Sequence, residues 1–260
     1  MSIKIYIYTL DKSYKTNFLY ENPNKDAERH ALLSDALRLY LSSGLPSGIN
    51  MRKRYGKLES TDIELDLTLG EGEYGKPYFV SEELSKIHFS ISHSGRYWAI
   101  AFSDSEVGFD IEDFTARKHD DRRYMKIAKR FFTDNETYFV EQSYAGKVRG
   151  LEARRRKLAE AEDKRLEKKG ITKEISHFEF FRIWTRKEAY IKYVGSGLSH
   201  GLKTFSTMEQ ESPDSKAYYF DDIGIITLIA TDEMVCSCCG DATYIQDNPT
   251  VEFVEMNELE

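Results

Sequence analysis

The sequence predicts an α+β fold, because its strand patterns stand in groups instead of alternating regularly with helices. A first helix is predicted over residues 26–41, and the other helical patterns fall between residues 118 and 194. The predicted strands lie outside these stretches and are marked by alternating or continuous apolar residues: 2–10, 62–69, 87–92, 97–102, 107–111, 223–231 and 234–238.

The composition is that of an ordinary soluble chain with enough residues for a full core, in one large domain or two subdomains. Of its 260 residues, 40% are hydrophobic and 31% are charged. The net charge of −7 argues against non-specific binding to nucleic acid. No apolar run approaches the roughly 20 residues that span a bilayer, and residues 1–8 alternate like a strand and lack the apolar block of a signal peptide. We therefore expect a cytoplasmic protein without a membrane partner.

Three cysteines, Cys236, Cys238 and Cys239, stand within four residues of one another. Their number is odd, so they cannot all pair within the chain, and no fourth ligand stands at a spacing typical of zinc sites. We expect them in a late strand.

Residues 107–112, Val-Gly-Phe-Asp-Ile-Glu, predict a strand with two carboxylates on one face. Side chains alternate along a strand, so Asp110 and Glu112 share a face with Gly108, while the apolar residues between them face a core. The glycine leaves room for a ligand to approach the backbone. Two neighbouring carboxylates repel each other unless a positive charge lies between them, and Mg²⁺ prefers oxygen ligands. A solvated acidic face is the alternative.

A third carboxylate, Glu188, is predicted on a helix over residues 177–194. Ser176 and Glu179 have the spacing of a capping box at its start, and Gly195 suits the position just beyond its end. Glu188 falls on the apolar stripe of this helix, where a carboxylate is costly unless a cation or strong donors compensate it.

Lys192 lies one turn beyond Glu188 on the same face of the helix. Two interpretations follow. Glu188 and Lys192 form a plain pair on the helix flank, or Glu188 joins Asp110 and Glu112 in a Mg²⁺ site for a phosphate-bearing substrate. The presence of the two strand carboxylates favours the shared site.

Both segments, with three others in the same order, resemble the 4′-phosphopantetheinyl transferase superfamily, and specifically its long, surfactin-synthetase-type (group II) members. The family's G-x-D-x-E strand and W-x-x-K-E-x-x-x-K helix match residues 108–112 and 184–192. Its G-K-P, F-N-I-S-H-S and A-x-R-F-F segments match three further stretches: Tyr-Gly-Lys-Pro at 74–77, His-Phe-Ser-Ile-Ser-His-Ser-Gly at 88–95 and Ala-Lys-Arg-Phe-Phe at 128–132.

The resemblance implies an enzyme that transfers the 4′-phosphopantetheine group of coenzyme A to a serine of an apo acyl or peptidyl carrier protein. It implies release of 3′,5′-ADP and a requirement for Mg²⁺, with Mn²⁺ as an alternative ion. The enzyme would be of the holo-acyl-carrier-protein synthase type and monomeric. Carriers of fatty-acid, polyketide and nonribosomal-peptide biosynthesis all stay open.

The resemblance also assigns roles to individual residues. Asp110, Glu112 and Glu188 would hold the metal. Glu188 would also act as the general base, and Lys192 would neutralise charge as 3′,5′-ADP leaves. The remaining assignments concern coenzyme A: Lys187 near its phosphates, Ser92 and His93 on the nucleotide phosphates, and Lys76 at the adenosine end.

The chain departs from the family pattern before its first helix. The family's Lys/Arg-rich stretch, which grips the adenosine 3′-phosphate, is reduced here to Lys25 and Arg29. The grip on that phosphate would then rest on Arg29, Lys76 and His93.

The family architecture implies two similar α+β halves, a pseudo-dimer, with the active site in the cleft between them. We expect the halves at residues 1–105 and 106–245, a charged helical insertion at about 145–172, and a polar tail at 246–260. Within the insertion, residues 147–169 include ten basic and five acidic side chains. They form either a solvated helix or a docking surface for an acidic carrier, for which Lys129 and Arg130 are a second candidate.

Two other function classes compete with the transferase. A different Mg²⁺-dependent enzyme of phosphate esters, such as a nucleotide hydrolase, would share the carboxylates. It would give no reason for the ordered set of Lys76, the Ser92-His93 pair and Lys192. A non-catalytic scaffold would bind acidic partners through residues 147–169 and would not need Glu188.

Overall fold

The computed structural model describes residues 2–10, 25–43, 66–114, 121–143, 178–197, 201–209, 215–231 and 233–255. Ten strands lie within these stretches: β1 (Lys4–Thr9), β2 (Leu69–Glu71), β3 (Pro77–Phe79), β4 (His88–Ser94), β5 (Tyr97–Ser103), β6 (Val107–Asp113), β7 (Ala217–Phe220), β8 (Ile223–Ala230), β9 (Met234–Asp241) and β10 (Thr250–Val254). Five helices accompany them: α1 (Lys25–Ser42), α2 (Asp121–Phe131), α3 (134–143), α4 (Phe178–Val194) and α5 (Ala242–Gln246). The mixture confirms the predicted α+β class.

Two four-stranded sheets carry the architecture, in the orders β10-β1-β5-β4 and β6-β9-β8-β7, and β2 pairs with β3 in a small separate hairpin. Side chains that alternate along β1 pack into two different hydrophobic cores, one on each face of the first sheet. Tyr6 and Tyr8 pack into the cluster beneath α1, while Ile5 and Ile7 face the second sheet in a cluster with Phe109. The first sheet is therefore buried on both faces.

The second sheet holds the three cysteines as expected. All three lie in β9, are free thiols and are buried; Cys236 and Cys238 pack into the apolar cluster between the sheets. Burial raises the pKa of the Cys236 thiol to about 12, so this side chain is a neutral core residue at physiological pH.

The two sheets meet where β4, the edge of the first, lies alongside β6, the edge of the second. Serine hydroxyls, which alternate along β4, take the place of backbone carbonyls as hydrogen-bond acceptors. They accept from backbone N–H groups of β6 at 3.0, 3.3 and 3.0 Å, respectively: Ser90 from Phe109, Ser92 from Ile111, and Ser94 from Asp113. The register increases along both strands, so they run parallel. We refer to this contact between β4 and β6 as the serine seam.

Helix α4 packs across β6 at Gly108, where the two backbones nearly touch. A Cβ atom at residue 108 would stand 1.9 Å from the carbonyl oxygen of Ala189 and 2.4 Å from the nitrogen of Tyr193. The sequence indicated that this glycine leaves room for a ligand. That prediction was wrong, because the helix backbone fills the space.

Gly108→Ala is therefore expected to destabilise the chain by about 3 kcal/mol, the upper range for overpacking, since backbone atoms on both sides must move. Gly72→Ala is the matched control, because the nearest atom to an added Cβ there is 3.4 Å away. Urea unfolding measures both variants. Equal midpoints for the two would contradict the close packing of α4 on β6.

Part of the stretch predicted as a polar tail at 246–260 is a strand, and residues 256–260 lie outside the described residues. After β9, the Asp241 side chain caps α5 by accepting from the N–H of Thr243 at 2.9 Å. The chain then returns to the first sheet, where β10 pairs in parallel with β1. Val251 and Val254 pack against the two cores, which gives residues 250–254 a structural reason to be ordered.

Three other boundaries bear on the predictions. Helix α4 ends as expected, with Gly195 at φ 69° and its N–H bonded to the carbonyl of Ile191 at 2.8 Å. Of the strand predicted at 62–69, residues 66–68 are not in a strand, and residues 62–65 lie outside the described residues. Ser176 and the insertion predicted at 145–172 also lie outside them.

Within the part of the chain that is described, no helix has the length and apolar character needed to cross a membrane.

Candidate active site

Asp110 and Lys192 meet where α4 crosses β6. The Asp110 carboxylate is buried, and its Oδ1 accepts hydrogen bonds from Ser92 Oγ and Lys192 Nζ, both at 2.8 Å. Lys192 Nζ also donates to the carbonyl oxygen of Phe109 at 3.1 Å. The structure thus joins a residue of the predicted strand motif to one of the predicted helix motif.

Glu188 lies one turn before Lys192 and faces the same place. The pKa of its carboxyl group is raised to about 7, chiefly by burial and also by the negative charge of Asp110, while the charge of Lys192 opposes both. No hydrogen-bond donor from the described residues reaches this carboxylate. The interpretation of a plain Glu188–Lys192 pair on the helix flank is therefore too simple, because Asp110 takes the hydrogen bond from the lysine.

Glu112 lies two residues further along β6, and its Oε2 accepts a hydrogen bond from Ser94 at 2.7 Å. It lines a groove of about 440 Å³ whose other walls come from α2 and α4: Arg123, Tyr124, Ile127, Phe180, Phe181 and Trp184. Among the residues that the structure describes, no three His, Cys, Asp or Glu side chains are grouped so that they could hold a metal ion. A site shared by Asp110, Glu112 and Glu188 stays a prediction.

The donor chemistry of Asp110 and Glu188 nevertheless fits a hard divalent cation. In the described structure, Oδ2 of Asp110 and both carboxylate oxygens of Glu188 accept no hydrogen bond, and the two groups repel each other. A cation that takes oxygen ligands would relieve this repulsion. These two carboxylates are the ones that would hold it, with Glu112 as the third candidate.

A cavity of about 400 Å³ opens beside this cluster, between α1 and the first sheet. Its polar walls include Arg29 and His93, and its apolar walls include Leu33, Ile91 and Trp98. Desolvation lowers the pKa of His93, the charges of Lys192 and Arg29 lower it further, and Asp110 opposes them. His93 therefore lies within electrostatic range of Arg29 in the cavity and of Asp110 and Lys192 in the carboxylate cluster.

Ser92 has a different role from the predicted phosphate contact. Its side chain is buried, and its hydroxyl accepts from the N–H of Ile111 at 3.3 Å and donates to Asp110. With both interactions made, the hydroxyl orients a carboxylate instead of reaching a ligand.

Lys76 is held at the junction between the two sheets. Its ammonium pairs with Glu106 and donates to the carbonyls of Val107 and Tyr193 at 3.3 and 3.1 Å. Glu106 also contacts His88 at 3.0 Å, and its pKa falls to about 2 because of His88 and Lys76. These bonds give the Lys76 side chain a role in the fold, and its contact with the adenosine end of coenzyme A stays a prediction.

The Lys187 side chain is committed to a buried ion pair, and its predicted place near the phosphates of coenzyme A stays a prediction. The side chain is fully buried, with its Nζ 2.9 Å from Glu136 Oε2 and bonded to the carbonyls of Leu202 and Phe205 at 2.7 and 2.6 Å. Successive helical residues are about 100° apart, so Lys187 points to a different side of α4 from Glu188. Lys187 anchors residues 202–205 to α4.

The sequence reasoning missed two contributors to this region. Ser94 holds Glu112, and the signal for it was the alternation of serine at 90, 92 and 94 in a predicted strand. Arg186 is buried beside Lys187 and donates to Thr227 and to three backbone carbonyls: those of Thr207, Ser215 and Lys216. A single sequence gives no sign that this arginine is buried.

Comparison with known proteins shows the family to which this chain is similar. The model of the 4′-phosphopantetheinyl transferase superfamily matches residues 106–239, which include Asp110, Glu188 and Lys192. A putative 4′-phosphopantetheinyl transferase of Synechocystis sp. is 29% identical over 79% of this chain and 63% of its own length. The transferase gsp of Aneurinibacillus migulanus is 26% identical over 94% of the chain and 86% of its own length.

The 4′-phosphopantetheinyl transferase Sfp of Bacillus subtilis is 29% identical over 73% of the chain and 66% of its own length. The aligned part thus spans less than two thirds of the Synechocystis and Sfp proteins. The family model, by contrast, covers more than half of the chain and includes strand β6, helix α4 and most of the second sheet. The chain therefore belongs to the 4′-phosphopantetheinyl transferase superfamily, as a member of the Sfp type.

Proposed function

We propose that this protein transfers the 4′-phosphopantetheine group of coenzyme A to a serine hydroxyl of an apo carrier protein, with release of 3′,5′-ADP. One observation carries the proposal. Glu188 is a partly buried carboxyl group without a hydrogen-bond donor among the described residues, it faces Asp110 and Lys192, and its pKa is raised to about 7. The oxygens of such a carboxylate are open to a divalent ion and to the hydroxyl of an incoming serine within hydrogen-bond reach.

Different residues of the chain have different roles in the transfer. Glu188 accepts the proton of the carrier serine, whose oxygen attacks the phosphorus bonded to the pantetheine arm. The bond from that phosphorus to the oxygen of the ADP moiety breaks, and Lys192 faces the charge that develops on the leaving group. Arg29 and His93 bind the nucleotide phosphates from the neighbouring cavity, and its apolar wall of Leu33, Ile91 and Trp98 excludes water.

A divalent ion belongs to this proposal, with Mg²⁺ as the ion and Mn²⁺ as an alternative. Asp110 and Glu188 would hold it, with Glu112 as the third ligand. When bound, it supplies positive charge to the pyrophosphate oxygens of coenzyme A. The all-oxygen donor set and the repulsion between Asp110 and Glu188 support this part of the proposal.

The carrier is proposed to be an acyl or peptidyl carrier protein, as the relatives of this chain are named for phosphopantetheinyl transfer. Incubation with fluorescent coenzyme A and a panel of apo carriers tests the activity and ranks the carriers. We expect label on the carrier serine and an equal amount of 3′,5′-ADP. A nucleotide hydrolase would instead release 3′,5′-ADP at the same rate without a carrier, and that result would overturn the proposal.

Lys192→Ala is expected to lower kcat more than it raises the KM for coenzyme A, because the lysine meets charge that develops late in the reaction. A loss of about 10²- to 10³-fold in kcat is the range for removal of one preorganised electrostatic donor. Lys203→Ala is the control, since Lys203 is exposed and pairs with the exposed Asp134. A rise in KM alone would make Lys192 a binding residue.

A further inference from the structure

We propose that the serine seam sets the position of the active-site carboxylates, with Ser92 as the positioning residue of Asp110 and Ser94 as that of Glu112. The inference rests on the proposed function, since it assumes that these carboxylates hold a divalent ion. The two serines would hold the carboxylates in position for the ion and would not bind the ion themselves.

The geometry gives each of these serines two bonds. The backbone N–H of residue 111 or 113 donates to the serine oxygen, and the serine hydroxyl donates onward to the carboxylate of residue 110 or 112. The proton of the hydroxyl must point to the carboxylate, because the lone pair on its other side accepts from the backbone. Ser92 and Ser94 are both buried, so neither competes with water for these bonds.

Each serine donates to one particular oxygen of its carboxylate, and at Asp110 this choice leaves the other oxygen open. Ser92 holds Oδ1 of Asp110 together with Lys192, so Oδ2 points away from both donors. Two donors on one oxygen fix the rotation of the carboxylate about its χ2 angle, which is otherwise broad. Hydrogen bonds to metal-ligating carboxylates typically change metal affinity or activity 10- to 100-fold.

Ser90 supplies a control within the same seam. Its oxygen accepts from the N–H of Phe109 at 3.0 Å, as the other two serines do from their partners, and its side chain is equally buried. No carboxylate among the described residues accepts a hydrogen bond from it. Ser90→Ala therefore removes one bond of the seam and leaves both carboxylates as they are.

Binding of Mn²⁺ to the protein with saturating coenzyme A, followed by the electron spin resonance signal of free Mn²⁺, tests the proposal without relying on turnover. We expect Ser92→Ala and Ser94→Ala to weaken Mn²⁺ binding by about 10- to 100-fold. Ser90→Ala should bind Mn²⁺ like the wild type. All three should lower the melting temperature, because each loses its seam hydrogen bond to β6, and Ser92→Ala and Ser94→Ala also lose the bond to the carboxylate.

Three results would decide against the proposal. Equal Mn²⁺ affinity in the Ser90 and Ser92 variants would show that the seam is structural only. Loss of Mn²⁺ binding in all three would show the same. Absence of Mn²⁺ binding in the wild type would overturn the metal part of the proposed function as well. Should Ser92→Ala not fold, Ser92→Cys keeps the shape of the side chain with a larger atom that is a weaker donor, and it should also weaken Mn²⁺ binding.

Discussion

Glu188→Gln is expected to lower the rate of carrier modification by about 10²- to 10⁴-fold, the contribution of a positioned general base, while it makes the protein more stable above pH 7. The activity should fall because glutamine cannot accept the serine proton and is a poorer ligand for a divalent ion. A single-turnover assay with fluorescent coenzyme A measures this loss. Glu209→Gln, at an exposed position, is the control and should keep its activity.

The stability effect has a definite sign. The pKa of Glu188 is raised from 4.5 to about 7 in the folded chain, so the folded state binds this proton more tightly than the unfolded one. The stability that Glu188 contributes through this proton is fully present below pH 4.5, and it is lost as the pH rises through 7 and the carboxyl group ionises. Glutamine carries no charge at any of these pH values, so the variant does not lose this stability as the pH rises.

Melting curves in EDTA at pH 8 and pH 4.5 measure the difference. We expect Glu188→Gln to exceed the wild type at pH 8 by about 2 kcal/mol, discounted for the partial exposure of the group, and to match it at pH 4.5. A variant that is inactive and less stable at both pH values would show a packing defect, and would contradict the assignment of Glu188 as a repelled carboxyl group.

Lys187→Met is expected to cost about 3–5 kcal/mol of stability, the range for breaking a buried ion pair on one side. Lys187 and Glu136 are both fully buried, and desolvation lowers the pKa of the lysine while Glu136 raises it. Loss of the ammonium leaves the Glu136 carboxylate inside the protein with hydroxyl and N–H donors only: those of Thr133 and Thr207.

Denaturant unfolding measures this cost, and Lys203→Met is the control at the exposed pair with Asp134, where the change should stay within about 0.5 kcal/mol. Adding Glu136→Gln to Lys187→Met should recover part of the lost stability, because the unpaired buried charge of Glu136 is then removed. Normal stability with a raised KM for coenzyme A would instead support the phosphate contact that the sequence predicted for Lys187.

The sequence was a sound guide where a residue's role depends on its own segment. The alternation of β6 predicted that Asp110 and Glu112 share a face, and the helical spacing placed Glu188 and Lys192 together. Thr133 and Glu136 also have the spacing of a capping box in the sequence, and the Thr133 N–H donates to Glu136 Oε2 at 2.9 Å. Each of these follows from local geometry that a single segment contains.

Roles that depend on packing between segments could not be predicted. Gly108 admits a helix backbone rather than a ligand, and Lys187 turns away from the site although it adjoins Glu188. Strand β10 is unremarkable in sequence and is held by a parallel partner about 250 residues away. Ser92 was assigned to the nucleotide phosphates from the family resemblance, and its bond to Asp110 was missed because one sequence does not show that β4 and β6 lie side by side.

The position of a bound metal ion tests the central claim most directly. Anomalous diffraction from crystals of the protein with coenzyme A and Mn²⁺ would locate the ion. We expect one Mn²⁺ within about 2.5 Å of carboxylate oxygens of both Asp110 and Glu188 and beside the pyrophosphate, and the map would show whether Glu112 joins them. An ion bound by the pyrophosphate alone, with Glu188 outside its coordination, would contradict the shared site on which the proposed transfer depends.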